Sequence, residues 1–178
     1  MNIAKFVFNR SLQSAGARRR FWRLARKVLI RLCGDPVCCM NVHGRKLTLP
    51  LSHELPTYLN ECPFYDSLPG RIADFLRARE GRINCIDVGA NVGDTIAALN
   101  GHENDTFLAI EPSPGFRRLL IENWRLNKNV TVVPHMVSDG ADEGEYVFRE
   151  RSGTASIVRA AEGTSLTAKS MDSIVKDN

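Results

Sequence analysis

The run Cys85–Thr95 constrains the fold of this chain more than any other stretch. The residues that lead into it form a short apolar run, of the kind that makes a buried parallel strand. Gly89 and Gly93 then mark a sharp turn, and Asp94 and Thr95 open a helix-forming segment. Such a turn directs backbone N–H groups and a helix N-terminus towards one place. The sequence therefore predicts a polar ligand site above the end of this strand.

Beyond this turn the chain alternates predicted strands and helices, which is the pattern of an α/β fold. The strands are expected at 83–88, 106–110 and 130–137, and the helices between them at about 93–100 and 114–127. Strands connected through helices are joined by right-handed crossovers, so these strands should be parallel. A β-hairpin inserted in this frame is expected further along, because two short strand-like runs flank a turn.

Charge and pattern divide the 178 residues into three regions. Residues 1–36 are predicted to form a basic amphipathic helical arm, residues 37–81 a lead-in of β-ribbon and helices, and residues 82–178 an α/β domain. The first 46 residues carry eleven Lys/Arg against one acid, whereas the remainder carries thirteen against nineteen. A basic arm on an acidic body favours an anionic surface or an acidic partner for the arm alone. No nucleic-acid partner is expected, because the body is acidic and has no nucleic-acid-binding motif.

The arm contains an apolar stripe at helical spacing within residues 18–32. Its members are Phe21, Leu24, Ala25, Val28, Leu29 and Leu32, and basic residues take much of the opposite face. One interpretation is a helix in peripheral contact with an anionic membrane, with Phe21 and Trp22 at the headgroup level. The other is that the stripe docks on its own domain or on a sister subunit. Both leave the oligomeric state open.

Cysteine usage and hydropathy favour a cytoplasmic protein, with membrane association through the arm as the alternative. The five cysteines are an odd set without C-x-x-C spacing, which argues against a zinc site and against a disulfide framework. No apolar run approaches the roughly 20 residues that span a bilayer. Arginines interrupt the apolar stretches near the N-terminus, so no signal peptide is predicted.

Polar residues at the predicted strand ends indicate which ligand the turn could take. A dinucleotide motif needs G-x-G-x-x-G, but Asn91 occupies the place of its middle glycine. With Asp87 nearby, the turn suits a small zwitterion better than a diphosphate. Glu111, twenty-two residues after Gly89, ends the second strand and could accept hydrogen bonds from both hydroxyls of a ribose. Ser138 and Asp139 follow the third strand, where they could recognise the edge of an adenine ring.

The runs Ile86–Thr95, Ala109–Pro112, Val137–Asp139 and Lys169–Ile174 resemble the FkbM family of S-adenosylmethionine (SAM)-dependent methyltransferases. The resemblance implies a class I methyltransferase fold with a Rossmann-like parallel sheet and SAM as the cofactor. It also implies O-methylation of a sugar hydroxyl in a glycan or polysaccharide precursor, since similar members occur with bacterial surface-polysaccharide genes.

The resemblance further implies which residues bind the cofactor. The methionine part would lie beside Asp87, Gly89, Asn91 and Gly93 of the turn. The ribose would lie beside Glu111, and the adenine beside Ser138 and Asp139 after the third strand. Asp94 and Thr95 complete the predicted site, and no metal is expected. The general base is not identified, although His53 and His135 are candidates by residue type.

Members of the family continue into a fourth strand beside the first, and no segment of this sequence matches that strand. The expectation is therefore a truncated enzyme, incomplete at the C-terminus, whose first strand has an open edge. Two other functions stay open at this point. One is an inactive remnant that binds SAM or a nucleotide, and the other is an NAD-type oxidoreductase, which Asn91 disfavours.

Overall fold

The computed structural model of the protein describes residues 2–139, 143–151, 153–159 and 164–177. The helices are α1 (Ile3–Gln13), α2 (Gly16–Cys33), α3 (Leu55–Glu61), α4 (Ser67–Glu80), α5 (Asp94–Ala98), α6 (Pro114–Trp124) and α7 (Met171–Asp177). The strands are β1 (Val37–Val42), β2 (Arg45–Pro50), β3 (Asn84–Val88), β4 (Thr106–Ile110), β5 (Val130–Val133), β6 (Met136–Val137), β7 (Glu143–Arg151), β8 (Thr154–Arg159) and β9 (Thr164–Lys169).

The centre of the fold is a parallel sheet with the strand order β3-β4-β5. Asn84 of β3 pairs with Thr106 of β4, and Val88 pairs with Ile110 at the carboxyl ends of the two strands. Helices α5 and α6 lie in the two connections, as crossovers between parallel strands require. The predicted α/β frame with three parallel strands is therefore confirmed.

The C-terminal strands form a second sheet in the order β6-β9-β7-β8. The predicted hairpin is present as the antiparallel pair β7–β8, but it belongs to this sheet and not to the parallel one. The predicted third strand is divided into β5 and β6, because Pro134 has no N–H for a continuous ladder. The sequence does not predict β9, whose polar residues pair with β6 on one side and β7 on the other.

The two faces of the parallel sheet are covered unequally. One face packs against α5 and α6 in the main core. On the other face, Ile174 of α7 packs with Ile110 and Val133 in a small separate cluster. Beside this cluster, Ile86 and Val88 of β3 are 46% and 54% exposed. Among the described strands β3 pairs only with β4, which agrees with the open edge expected from the sequence.

The β1–β2 ribbon is part of the main core, because its inward side chains are buried against α1. Asn123 of α6 connects the ribbon to the glycine turn. Its Oδ1 accepts a hydrogen bond from the Thr48 N–H at 2.7 Å, and its Nδ2 donates to the Thr48 and Val92 carbonyls at 3.0 Å each. One amide side chain therefore fixes the edge of the ribbon, α6 and the turn relative to one another.

A buried ion pair fixes α4 to the start of the parallel sheet. Arg77 Nη2 lies 2.8 Å from Asp105 Oδ2 and donates to the Leu99 carbonyl at 2.7 Å. Asp105 also accepts the N–H groups of Ile83 and His102, at 3.0 and 2.7 Å. Burial alone would raise the pKa of Asp105, but the hydrogen bonds from Arg77 and the two backbone donors outweigh it and lower that pKa.

Helix α2 turns most of its apolar stripe away from the body of the protein. Phe21 and Leu24 are exposed, whereas Arg26 on another side of the helix is buried. Arg26 donates to the carbonyls of Leu51 and His53, at 2.7 and 3.0 Å. The interpretation in which the stripe docks on its own domain is therefore wrong for its four exposed members, whereas Leu29 of the stripe does pack against the main core. No helix in the described part of the chain is both long and apolar enough to cross a membrane.

Candidate functional site

The turn between β3 and α5 is built on left-handed backbone conformations. Gly89, Asn91 and Gly93 have φ angles of +80°, +51° and +86°. At Gly93 the space is also restricted, because a Cβ there would lie 2.0 Å from Nε1 of Trp124. Gly93 is therefore required by its conformation and by the close approach of α6, whereas Gly89 is required by conformation alone.

The backbone N–H groups of the turn are bonded within the protein. Gly89 and Ala90 donate to the Ile110 carbonyl at 2.9 and 3.0 Å, and Gly93 donates to the Ala90 carbonyl at 2.7 Å. The Asn91 N–H donates to a carboxylate at 2.8 Å. The expectation that this turn offers its N–H groups to a ligand is therefore wrong for these four residues. Recognition at this site must come mainly from side chains.

Glu111 is the carboxylate that holds the turn in place. It is buried at the end of β4; its Oε2 accepts the Asn91 N–H and its Oε1 accepts the Ser113 N–H, each at 2.8 Å. The sequence predicts Glu111 at the carboxyl end of the second strand, and the structure places it there. Its contacts with the backbone on both sides give it a structural role in addition to the predicted contact with a ligand.

A cavity of about 300 Å³ lies between the turn and the β7–β8 hairpin. Its volume is at the lower end of the range for small-molecule sites. One wall comes from the parallel sheet and the other from the hairpin. The lining residues are Gly89, Asn91, Glu111 and Pro112 on the first wall, and Phe148, Thr154, Ala155 and Ile157 on the second. The sequence identifies three residues of the first wall and none of the second, since no local signal relates the hairpin to the turn.

Asn91 joins the turn to the tip of the hairpin. Its Nδ2 donates to the Gly153 carbonyl at 2.6 Å, and its Oδ1 lies 3.4 Å from Nε2 of His53. His53 is buried, and its Nδ1 accepts the Leu55 N–H at 3.3 Å. The neutral imidazole with its proton on Nε2 satisfies both contacts. Burial lowers the pKa of His53, against a smaller opposing effect of the Asn91 hydrogen bond, so His53 is neutral at physiological pH.

The strongest electrostatic feature of the site is the carboxyl group of Asp87 at the carboxyl end of β3. Its Oδ2 atom is buried and has no hydrogen-bond partner among the described residues. Burial, followed by the negative charges of Asp94 and Glu111, raises its pKa to about 6 against a lowering hydrogen bond from Thr95. Burial also raises the pKa of Asp94. The site therefore concentrates negative charge, and among the described residues no Lys or Arg forms an ion pair with Asp87 or Asp94.

Of the nine predicted site residues, only Gly89, Asn91 and Glu111 line this cavity. Asp87, Gly93, Asp94 and Thr95 belong to the end of β3, the turn and the start of α5 and are not among its lining residues. The other two lie farther along the chain. Ser138 continues the pairing of β6 with β9, since its N–H donates to the Lys169 carbonyl at 3.1 Å, and the adjacent Asp139 is exposed. Neither lines the cavity. The predicted adenine contact therefore has no counterpart here, because the division of the third strand at Pro134 carries these residues into the second sheet. His135 also lies there, and burial together with the charge of Lys169 lowers its pKa.

The arrangement can attract and bury a cation, and it can enclose an apolar group against the hairpin. In the described ranges no three His, Cys, Asp or Glu side chains are grouped to hold a metal ion. No family model matches the chain, and no curated protein or solved structure matches it.

Proposed function

We propose that this protein is a SAM-dependent O-methyltransferase whose acidic site at the glycine turn holds the cofactor. The observation that carries the proposal is the buried, unpartnered Oδ2 of Asp87. A buried carboxylate is costly unless a positive charge accompanies it. SAM has a sulfonium and an ammonium group, so it would bring the positive charge that this site lacks.

The remaining parts of the site fit the other parts of the same cofactor. Asp94 would add to the attraction for the charged methionine part, since its carboxyl group lies close enough to raise the pKa of Asp87. Glu111 lines the cavity and would accept hydrogen bonds from ribose hydroxyls. Phe148 and Ile157 give the opposite wall an apolar surface for the adenine. The site also lies at the carboxyl ends of parallel strands, where open α/β sheets bind ligands.

When bound, SAM supplies an electrophilic methyl group for attack by an acceptor oxygen. The contribution of the chain would be to hold the two reactants in line and to exclude water on the hairpin side. His53 would position Asn91, because its Nε2 faces that amide and its Nδ1 accepts a backbone N–H. It is therefore not placed to take a proton from an acceptor. The sugar hydroxyl as the acceptor rests on the sequence resemblance.

A protein that binds SAM without transferring its methyl group is the second candidate. No histidine is among the cavity-lining residues that the structure describes, which favours this alternative. An NAD-type oxidoreductase fits less well. The site is acidic where a diphosphate would bind, and the N–H groups that would hold the diphosphate are bonded to Ile110, Ala90 and Glu111.

Titration calorimetry with SAM and with NAD tests the proposal. SAM should bind saturably to the wild-type protein and NAD should not. Asp87→Asn should weaken SAM binding about tenfold or more, because it removes a charge-assisted contact. Glu103→Gln, in an exposed loop, removes one negative charge far from these contacts and should bind SAM as the wild type does. Absence of SAM binding, or equal binding by the Asp87 variant, would contradict the proposal.

A second measurement separates the two candidate functions. Transfer of labelled methyl groups from SAM to a mixture of glycan acceptors should be detectable if the protein is an enzyme. Saturable binding of SAM without incorporation into any acceptor would support the binding protein instead.

A further inference from the structure

We propose that α2 is a membrane-docking helix that lies on the surface of an anionic bilayer. Four large apolar side chains of this helix point away from the protein, and they are spaced three, four and four residues apart. Their exposed fractions are 61% for Phe21, 61% for Leu24, 47% for Val28 and 77% for Leu32. This spacing places them on one side of a helix over a length of about 17 Å. The result is a continuous apolar strip on an otherwise charged surface.

The opposite side of α2 holds the strip in this orientation. The Arg26 guanidinium lies 4.1 Å from the centre of the Phe8 ring and 3.2 Å from Oε1 of Glu54. Trp22 packs edge-on against Phe6, with ring centroids 5.6 Å apart. A rotation of α2 that turned the strip towards the protein would break these contacts and expose the side chains that make them. Trp22 therefore faces the protein, and of the two aromatic residues predicted at the headgroup level only Phe21 is directed outward.

A row of free cations runs along one side of the strip. Arg20, Lys27 and Arg31 are exposed, and their positions in the helix place them beside the strip. In the described ranges none of them has a carboxylate partner, whereas the nearby Arg19 and Arg23 are both bound by Glu61. Long basic side chains next to an apolar surface can reach lipid phosphates while the apolar side chains enter the bilayer. The strip and the cations together are complementary to an anionic lipid surface.

This charge pattern favours lipid over a second copy of the chain. A symmetric pairing of two strips would use the same patch on both molecules. An antiparallel pairing would bring the two rows of cations together, which is unfavourable, and a parallel pairing would leave both rows without a counter-charge. An anionic membrane surface covers the strip and neutralises the row at once. The proposal is independent of the reaction at the glycine turn, because no residue of α2 lines the cavity there.

Sedimentation of the full chain with lipid vesicles tests the proposal. The protein should bind vesicles of phosphatidylcholine with about 30% phosphatidylglycerol, and should bind pure phosphatidylcholine at least about tenfold more weakly. Raising the salt concentration to about 0.5 M should weaken the binding. Val28→Glu with Leu24→Glu should abolish it, and so should replacement of Arg20, Lys27 and Arg31 by Glu. These side chains are exposed, so the variants should fold, which circular dichroism will verify.

Matched variants elsewhere on the surface control for nonspecific effects. Leu126→Glu changes a leucine that is even more exposed than Leu24. Replacement of Arg118, Arg125 and Lys128 by Glu changes the charge by the same amount as replacement of the three α2 cations. Both controls should bind vesicles as the wild type does. Equal binding to neutral vesicles, or unchanged binding by the α2 variants, would overturn the proposal. So would a lipid-independent dimer that the Leu24→Glu and Val28→Glu variant abolishes, because the strip would then be an interface between two copies.

Discussion

Asp87→Asn should make the protein more stable at neutral and alkaline pH. The substitution keeps the size of the side chain and removes a charge whose Oδ2 atom is buried without a hydrogen-bond partner among the described residues. The pKa of Asp87 rises from 3.8 to about 6 in the folded protein. Each pKa unit corresponds to about 1.4 kcal/mol, so ionised Asp87 costs the folded state about 3 kcal/mol at pH 8. Asparagine does not have this cost.

The pH dependence of this effect has a definite sign. Because folding raises the pKa of Asp87, the wild type has its full stability below about pH 4 and loses stability as the pH rises towards 6. The advantage of the variant should be close to zero near pH 3.5. It should reach about 1.6 kcal/mol at pH 5 and about 3 kcal/mol at pH 8.

Urea unfolding followed by circular dichroism measures this difference. The midpoints of the variant and the wild type should separate with increasing pH, at unchanged m-values. Glu103→Gln also removes one negative charge, but from an exposed loop, and should leave the stability within about 0.5 kcal/mol of the wild type. The reasoning is refuted if Asp87→Asn is no more stable than the wild type at pH 8, or if its advantage does not change with pH. Because the variant should be more stable, any loss of SAM binding in it cannot be attributed to unfolding.

Three further predictions concern the fold. Asp105→Asn should destabilise the protein by about 3–5 kcal/mol at pH 7, since it leaves the buried Arg77 with only the exposed Asp74 as a counter-charge. The difference should shrink below about pH 4, because the lowered pKa of Asp105 makes its contribution disappear as the pH falls; a pH-independent difference in urea unfolding would contradict this. Gly93→Ala should cost about 2–5 kcal/mol and Gly89→Ala less, because only Gly93 also faces Trp124; equal costs in thermal unfolding would argue against the steric part. A maleimide reagent should label the exposed Cys33 and Cys62 quickly and Cys38 only on unfolding, because burial raises the pKa of the Cys38 thiol to about 11; mass spectrometry of partly labelled protein identifies the order.

The parts of the fold that the sequence predicts correctly are those with local signals. The strand, glycine turn and helix around Gly89 and Gly93 follow from residues within one short run. The position of Glu111 follows from strand spacing. Its bonds to Asn91 and Ser113 do not, since they require knowledge of which strand ends lie side by side. His53 reaches Asn91 across 38 positions of the chain, and no local pattern indicates such a contact.

Two predictions from the sequence are wrong, one about the third strand and one about the orientation of α2. The sequence shows the physical reason for each only in part. Pro134 is a signal in the sequence for the end of β5. A prediction that ends the strand there separates β5 from β6, and it no longer places Ser138 and Asp139 in the site. In α2 the apolar spacing identifies the stripe correctly, but amphipathicity does not decide which side of a helix faces the protein. The buried side is set by Arg26, because the carbonyls of Leu51 and His53 are positioned to accept its hydrogen bonds.

The close packing of Trp124 against the glycine turn gives the protein a built-in optical probe. The chain has two tryptophans, Trp22 and Trp124. The Trp124 indole lies where a Cβ on Gly93 would be, and the Arg45 guanidinium stacks 3.8 Å from its ring centre. Its emission should therefore change when a ligand moves the turn. Trp22 faces the protein but its ring contacts that of the outward-facing Phe21, so its emission should change when lipid covers Phe21. Trp22→Phe and Trp124→Phe would leave one fluorophore each, so the two proposed sites can be followed separately by fluorescence without any added label.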